Sequence, residues 1–247
     1  MNKSEINEII KMFEQNIEDL KKYFLEMPSE HFLSEKELHS YFYHLCRLNS
    51  IFEHDNLFLI RSEYPTPFKC SKHQGEPFFE IENIYDNKSR SHIDIVLYNP
   101  CFIDFCKKNF DSLKSKCRNL DLFDILSGVK NEVYSGYIKN FIDFYFDFVN
   151  KYEQPIILYA LEFKYLRHGS LGTMSPPEEI KYDIKKLRKF RSFRLDDIMK
   201  EELWFCSNIK SLIFCNNRIK EDSIEKIKNE VINYFGNSEH FEFIRRQ

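Results

Sequence analysis

The sequence predicts an α/β protein: a mixed central β-sheet flanked by helices, carrying an aromatic-rich helical insertion. Three observations predict it. Short apolar, β-branched runs at 57–64, 92–98, 156–165 and 211–215 read as strands. Runs with apolar residues at helical spacing precede and follow them. Helix, then strands, then helix and strand is the order of a sheet with helices packed against it.

Residues 5–25 form an amphipathic helix in this reading. Ile6, Ile9, Ile10, Phe13, Ile17 and Leu20 make its apolar stripe, and Met27-Pro28 ends it. A second helix starts near Ser34, where Ser34 and Glu37 make a capping box and Leu33 and Leu38 the matching staple. Leu38, Tyr41, Phe42, Leu45 and Leu48 form its stripe. The strand 57–64 is expected to stop at Pro65 and Pro67, with a loop or weak hairpin over 68–90. HIDIVLY at 92–98 reads as a buried strand. The segment 100–154, with its run FIDFYFDF at 141–148, reads as a mostly helical insertion, because no Pro/Gly/Ser linker brackets it. A strand at 156–165, a helix at 177–193, a strand at 211–215 and a helix at 221–235 ended by Gly236 complete a single domain over 1–247.

Composition excludes several classes. Hydrophobic residues make up 43% and charged residues 30% of the 247, the balance of a folded globular chain. No stretch approaches the roughly 18 consecutive apolar residues of a membrane span. The N-terminus carries charge where a signal peptide has its apolar run, and 7 scattered cysteines with no CxxC pair suit reduced thiols. A cytoplasmic location without membrane contact is therefore expected. Net charge is −3, which excludes a globally polycationic DNA-coating protein. The charge is nevertheless segregated. Residues 1–37 hold nine acids against five lysines, and residues 181–194 hold seven bases against Asp183 alone.

The chemistry-bearing residues lie on two strands. Side chains alternate across a strand, so Glu162 and Lys164 share one face and Phe163 takes the other. Asp94 is a lone carboxylate among Ile93, Ile95, Val96 and Leu97. A buried, unpaired carboxylate costs several kcal/mol, so two such acids and a lysine seek each other or a cation. Two carboxylates with room for water suit Mg²⁺, with Mn²⁺ as an alternative. Phosphodiester hydrolysis uses what such a site supplies: an activated water, neutralised charge and in-line placement. Lys164 beside it could orient the water or stabilise the phosphorane. Glu63 and Tyr64, at the end of the first strand, and His92, two residues before Asp94, could line the same cleft. Cys70 and His73 are too few for a zinc site.

A helix acid, a strand, Asp in HIDIVL, ExK closing LYALEFKY and a helix with DIKKL follow in that order. This order resembles the PD-(D/E)XK nuclease superfamily. The resemblance implies a restriction-endonuclease-like fold and Mg²⁺-dependent DNA cleavage of restriction, defence or repair type. It implies Asp94 and Glu162 as metal ligands, Lys164 as the catalytic lysine, and the Phe163 carbonyl as a further ligand. Here Ile93, not Pro, precedes Asp94, and the 100–154 insertion separates the two motifs. The family also implies one acid from the helix. Glu37 has a structural role in the capping box, so Glu35 is the preferred candidate.

On the following helix, Ile180, Asp183, Ile184, Leu187 and Phe190 cluster on one face, and Lys181, Lys185, Arg188 and Lys189 project from the other. That cationic face could hold DNA phosphates. Arg167, His168 and Ser170 in the adjoining Gly-containing loop could contact the backbone too. Cutting both strands of a duplex would favour a homodimer, since one such site cuts one strand at a time. The alternative is a non-catalytic DNA-binding or complex-assembly module on the same fold. For the aromatic insertion, packing onto the sheet is favoured over a dimer surface or a DNA reader.

Overall fold

The computed structural model describes residues 2–28, 34–69, 71–73, 76–78, 90–117, 120–126, 131–167, 175–194, 199–236 and 239–246. The chain opens with helices α1 (Lys3–Glu26) and α2 (Glu35–Arg47). Strands β1 (Ile60–Lys69) and β2 (Arg90–Tyr98) follow. Helices α3 (Pro100–Lys116), α4 (Leu122–Leu126) and α5 (Asn131–Tyr152) then precede β3 (Ile157–Leu166). The chain continues through α6 (Pro176–Arg191), β4 (Cys206–Cys215), α7 (Glu221–Phe235) and β5 (Phe241–Arg245). The five strands form one mixed sheet in the order β5-β4-β3-β2-β1. β1, β2 and β3 pair antiparallel, and β3, β4 and β5 pair parallel. Among the described residues three two-stranded ribbons lie outside it, one of them pairing Ser71–His73 with Glu76–Phe78 inside the expected loop or weak hairpin.

The sheet is covered on both faces. Odd-numbered β3 residues face α1 and α2, where Tyr159 meets Phe13 and Phe163 meets Phe42. The α1 stripe is buried at Ile6, Ile9, Phe13, Ile17, Leu20 and Phe24. The N-terminus of α2 is held as the sequence indicates, and that of α6 in the same way. Glu37 folds back to accept the Ser34 N–H at 2.7 Å, and Glu178 does the same for Ser175 at 2.9 Å. Leu33 of the expected staple lies outside the described residues.

The opposite face carries α6, with α3 and α5 beside it. Phe102, Phe105, Phe144 and Phe148 interlock edge-on and tilted, and Tyr145 and Phe190 both meet Phe205. The run at 141–148 is helical, with Phe141, Ile142, Phe144, Tyr145 and Phe148 buried while Asp143 and Asp147 point outward. Its aromatic density is thus spent on packing. A smaller apolar cluster, including Ile180, Ile184, Ile213, Ile224 and Val231, seats α6 and α7 on β4.

Two expectations are corrected. Pro65 and Pro67 do not end β1. β1 is the edge strand, where a residue without an N–H costs the sheet little, and the register shifts between Pro65 and Lys69. The fourth strand begins at Cys206, five residues earlier than its apolar run suggests, and β5 was missed altogether. β5 alternates Phe241, Glu242, Phe243, and Glu242 is drawn in by Lys21 and Lys210 at 2.6 and 2.8 Å. No helix among the described residues is long and apolar enough to cross a membrane.

Candidate functional site

The site forms where β2 parts from β3. Their ladder runs from Tyr98↔Ile157 to Ile95↔Leu161, and beyond Ile95 side chains replace the neighbouring strand. Alternate N–H groups of a strand point to one edge. On the edge of β3 that β2 vacates, the Phe163 N–H donates to Asp94 Oδ2 at 2.7 Å and the Tyr165 N–H donates to Glu35 Oε2 at 3.1 Å. Two carboxylates, one from β2 and one from the first turn of α2, thus take donors that a strand would otherwise take. Two β2 carbonyls on the β1 side are also claimed by side chains. His39 Nε2 donates to the Asp94 carbonyl at 2.7 Å, and Lys186 Nζ donates to the His92 carbonyl at 2.8 Å. Pro65, opposite His92, has no N–H to offer it. Glu63, the neighbour of Tyr64 on β1, holds a left-handed φ of 52°, a strained backbone at the level of Asp94.

Glu162 and Lys164 project together toward α6. Lys164 Nζ lies 3.2 Å from Asp183, 3.7 Å from Glu35 and 3.9 Å from Glu179. Glu162, only 3% exposed, lies 2.7 Å from Lys186 Nζ, which is also 3.6 Å from Asp183. Phe163 takes the other face and is 1% exposed. The structure therefore brings Glu35, Asp94, Glu162 and Lys164 to one place. It adds Asp183 and Lys186, which the sequence reading left without a role there. A signal for both existed: Asp183, Lys186, Leu187 and Phe190 recur at helical spacing on the apolar face of a basic helix.

The remaining candidates are dispersed. Lys181 Nζ is 2.6 Å from Glu230 of α7. Lys181 and Lys185 lie over the Tyr234 ring, and the Arg188 guanidinium lies over Phe235. The cationic face of α6 is therefore partly an α6–α7 seam. Arg188 itself is exposed, and Lys189 is half-buried. Arg167 is exposed at the end of β3. His168 and Ser170 lie outside the described residues, as does Cys70. Tyr64 belongs to the core, edge-on to Tyr98 and Phe190.

Burial dominates the electrostatics. It lifts the Asp94 carboxyl from the usual 3.8 to about 6, against the opposing pull of the Phe163 N–H and the Lys186 charge. Glu162 is pushed well up by burial and then by the Asp94 charge. Burial also raises Glu35, with Lys164 opposing. For Lys164 and Lys186 burial works downward, yet the surrounding carboxylates outweigh it and hold both ammoniums firmly charged. Five carboxylates, Glu35, Asp94, Glu162, Glu179 and Asp183, thus share two lysines. For Asp94 the linkage sign follows directly. Its proton binds more tightly in the folded state, so the stability it contributes is complete below about pH 4 and lost as pH rises through about 6. In chelator, denaturant titrations from pH 4 to 7 should show a fall in stability for the wild type. Asp94→Asn should lack that component, and identical profiles would refute the shift.

The donor set suits a hard divalent cation. Asp94 and Glu162 offer carboxylate oxygens, and the peptide between Glu162 and Lys164 offers a carbonyl. Glu162 Oε1 is buried and lies against the Lys186 ammonium at 2.7 Å, a charge-assisted contact. Among the described residues no three His, Cys, Asp or Glu side chains stand together as a ready cage. Comparison with protein-family models, with curated proteins and with solved structures finds no match.

Proposed function

We propose that this chain is a Mg²⁺-dependent DNA endonuclease of the PD-(D/E)XK type on a restriction-endonuclease-like fold. The observation that carries the reading is the 2.7 Å bond from the Phe163 N–H to Asp94. It sets the aspartate of one strand against the ExK segment of the next, although the whole α3–α5 insertion lies between them in the chain. Glu35 reaches the same point from α2 and approaches Lys164 to 3.7 Å. The five-stranded mixed sheet with helices on both faces is compatible with that fold.

Asp94, Glu162 and the Phe163 carbonyl would hold the ion. When bound, it would supply charge neutralisation at the phosphate and a more acidic water. Lys164, kept protonated by Asp183, Glu35 and Glu179, serves as a cationic partner for the phosphorane oxygens. With a proton that tightly held, it is a poor general base. Glu35, held by the Tyr165 N–H, would orient water beside it. Arg188, Lys189 and Arg167, exposed or half-buried, would be among the cations that meet DNA phosphates.

Plasmid, single-stranded DNA and RNA incubated with protein and Mg²⁺ or Mn²⁺ test the reading. Lys164→Ala should slow plasmid cleavage about 100-fold or more. Cleavage at the wild-type rate would remove Lys164 from the chemistry. One observation favours a second reading, a non-catalytic module that binds DNA or assembles complexes. Lys186 already balances Glu162, so the acids are stable with no metal. That reading expects duplex binding and no cleavage in any divalent ion.

A further inference from the structure

Lys186 is unlike the other bases of α6. Its side chain is 5% exposed, whereas its neighbours Lys185 and Lys189 are half-buried and Arg188 is exposed. Three fixed partners hold its ammonium: Glu162 at 2.7 Å, Asp183 at 3.6 Å and the His92 carbonyl at 2.8 Å. The Asp94 charge acts on it as well. Burying an ammonium is costly, and the helix accepts that cost only because acids surround it. The ammonium and a hard divalent ion seek the same oxygens, above all the buried Glu162 Oε1, 2.7 Å from the ammonium.

We propose that Lys186 is the resident cation of the Asp94–Glu162 pocket, and that a divalent ion enters only as its side chain withdraws. This rests on the metal-binding reading of the pocket and adds its regulation. The lysine holds the acids together in the metal-free protein, and it weakens the ion's apparent affinity by the fraction of molecules in which it occupies the pocket. Free divalent ion and the phosphate that accompanies it then decide together when the site is loaded. Lys164 takes no part in this exchange, because its partners are Asp183, Glu35 and Glu179, not Glu162.

The test uses the full chain stripped with chelator and titrated with Mn²⁺, followed by the loss of the free-ion electron paramagnetic resonance signal. Asp94→Asn is the blank for sites elsewhere. Lys186→Met should bind about tenfold tighter than the wild type, and Lys186→Arg should bind no more tightly than it. In parallel, the wild type is acylated with acetic anhydride with and without Mn²⁺ and mapped by mass spectrometry. Lys186 should be protected in chelator and modified several-fold faster with the ion, while Lys164 changes little. If Lys186→Met fails to fold, the acylation pattern decides alone. Affinity in Lys186→Met equal to or below the wild type overturns the proposal, as does unchanged Lys186 acylation in wild type that binds Mn²⁺. Binding of no Mn²⁺ by either protein above the blank sinks the metal reading itself, a different result from the other two.

Discussion

Asp94→Asn should abolish metal-dependent cleavage while leaving the fold standing. Asparagine keeps the shape of aspartate, and its side-chain carbonyl can still accept the Phe163 N–H that Asp94 Oδ2 takes at 2.7 Å. The junction between β2 and β3 therefore survives. The negative charge does not survive, and with it goes one of the two carboxylates proposed to hold the ion. Removing one such charge from a preorganised site costs about 100- to 1,000-fold in rate. Stability at neutral pH should hold or rise, because burial has already lifted the Asp94 carboxyl to about 6 and its ionised form is costly to keep inside. Asp94→Ala makes the contrast. It orphans the Phe163 N–H, at about 1–3 kcal/mol, and should lose stability as well as activity. Single-turnover nicking of supercoiled plasmid, with a thermal melt of each variant, separates the effects. An Asn variant that cuts within tenfold of the wild type would place Asp94 among the structural residues only.

Phe163→Ala should cost about 3–5 kcal/mol of stability. The ring sits between Glu162 and Lys164 in sequence but on the opposite face, only 1% exposed. It lies parallel to Phe214 at 6.2 Å and tilted against Phe42 and His39, both at 5.8 Å. These neighbours belong to β4 and α2, so the side chain ties β3 to the next strand and to the helix that carries Glu35. The urea midpoint should fall with the slope unchanged, as expected for a cavity and not for a changed unfolded state. The carbonyl of residue 163 is backbone and remains. Folded Phe163→Ala protein at low temperature should thus keep much of its cleavage, and a loss below 1 kcal/mol would mean that the ring is not a core anchor.

Most of the architecture was legible because it is local. The α1 stripe, the Ser34–Glu37 box and the alternation in HIDIVLY and LEFKY depend on residues a few positions apart. The choice of Glu35 over Glu37 has the same origin. One carboxylate folds back on Ser34, and the other is left to reach the Tyr165 N–H. What misled the reading was non-local. A proline forbids a central strand but not an edge strand, and only the sheet order tells which β1 is. Strand β5 has too much charge to announce itself, since Lys21 and Lys210, both far away in sequence, pair with Glu242. Within KKLRK helical spacing sets Lys186 on the apolar face, but only the tertiary fold brings that position against Glu162.

By itself, then, the chain determined which segments become helices and strands, and which faces carry Asp94, Glu162 and Lys164. Propensity, capping and side-chain alternation are properties of neighbouring residues, and they need no partner to be read. Tertiary structure decided that β2 leaves β3 just past Ile95, so that carboxylates take the Phe163 and Tyr165 N–H groups, and that a lysine from α6 enters the gap. Those outcomes depend on how buried charges and unpaired backbone groups find compensation across the fold, and that balance exists only once distant elements meet.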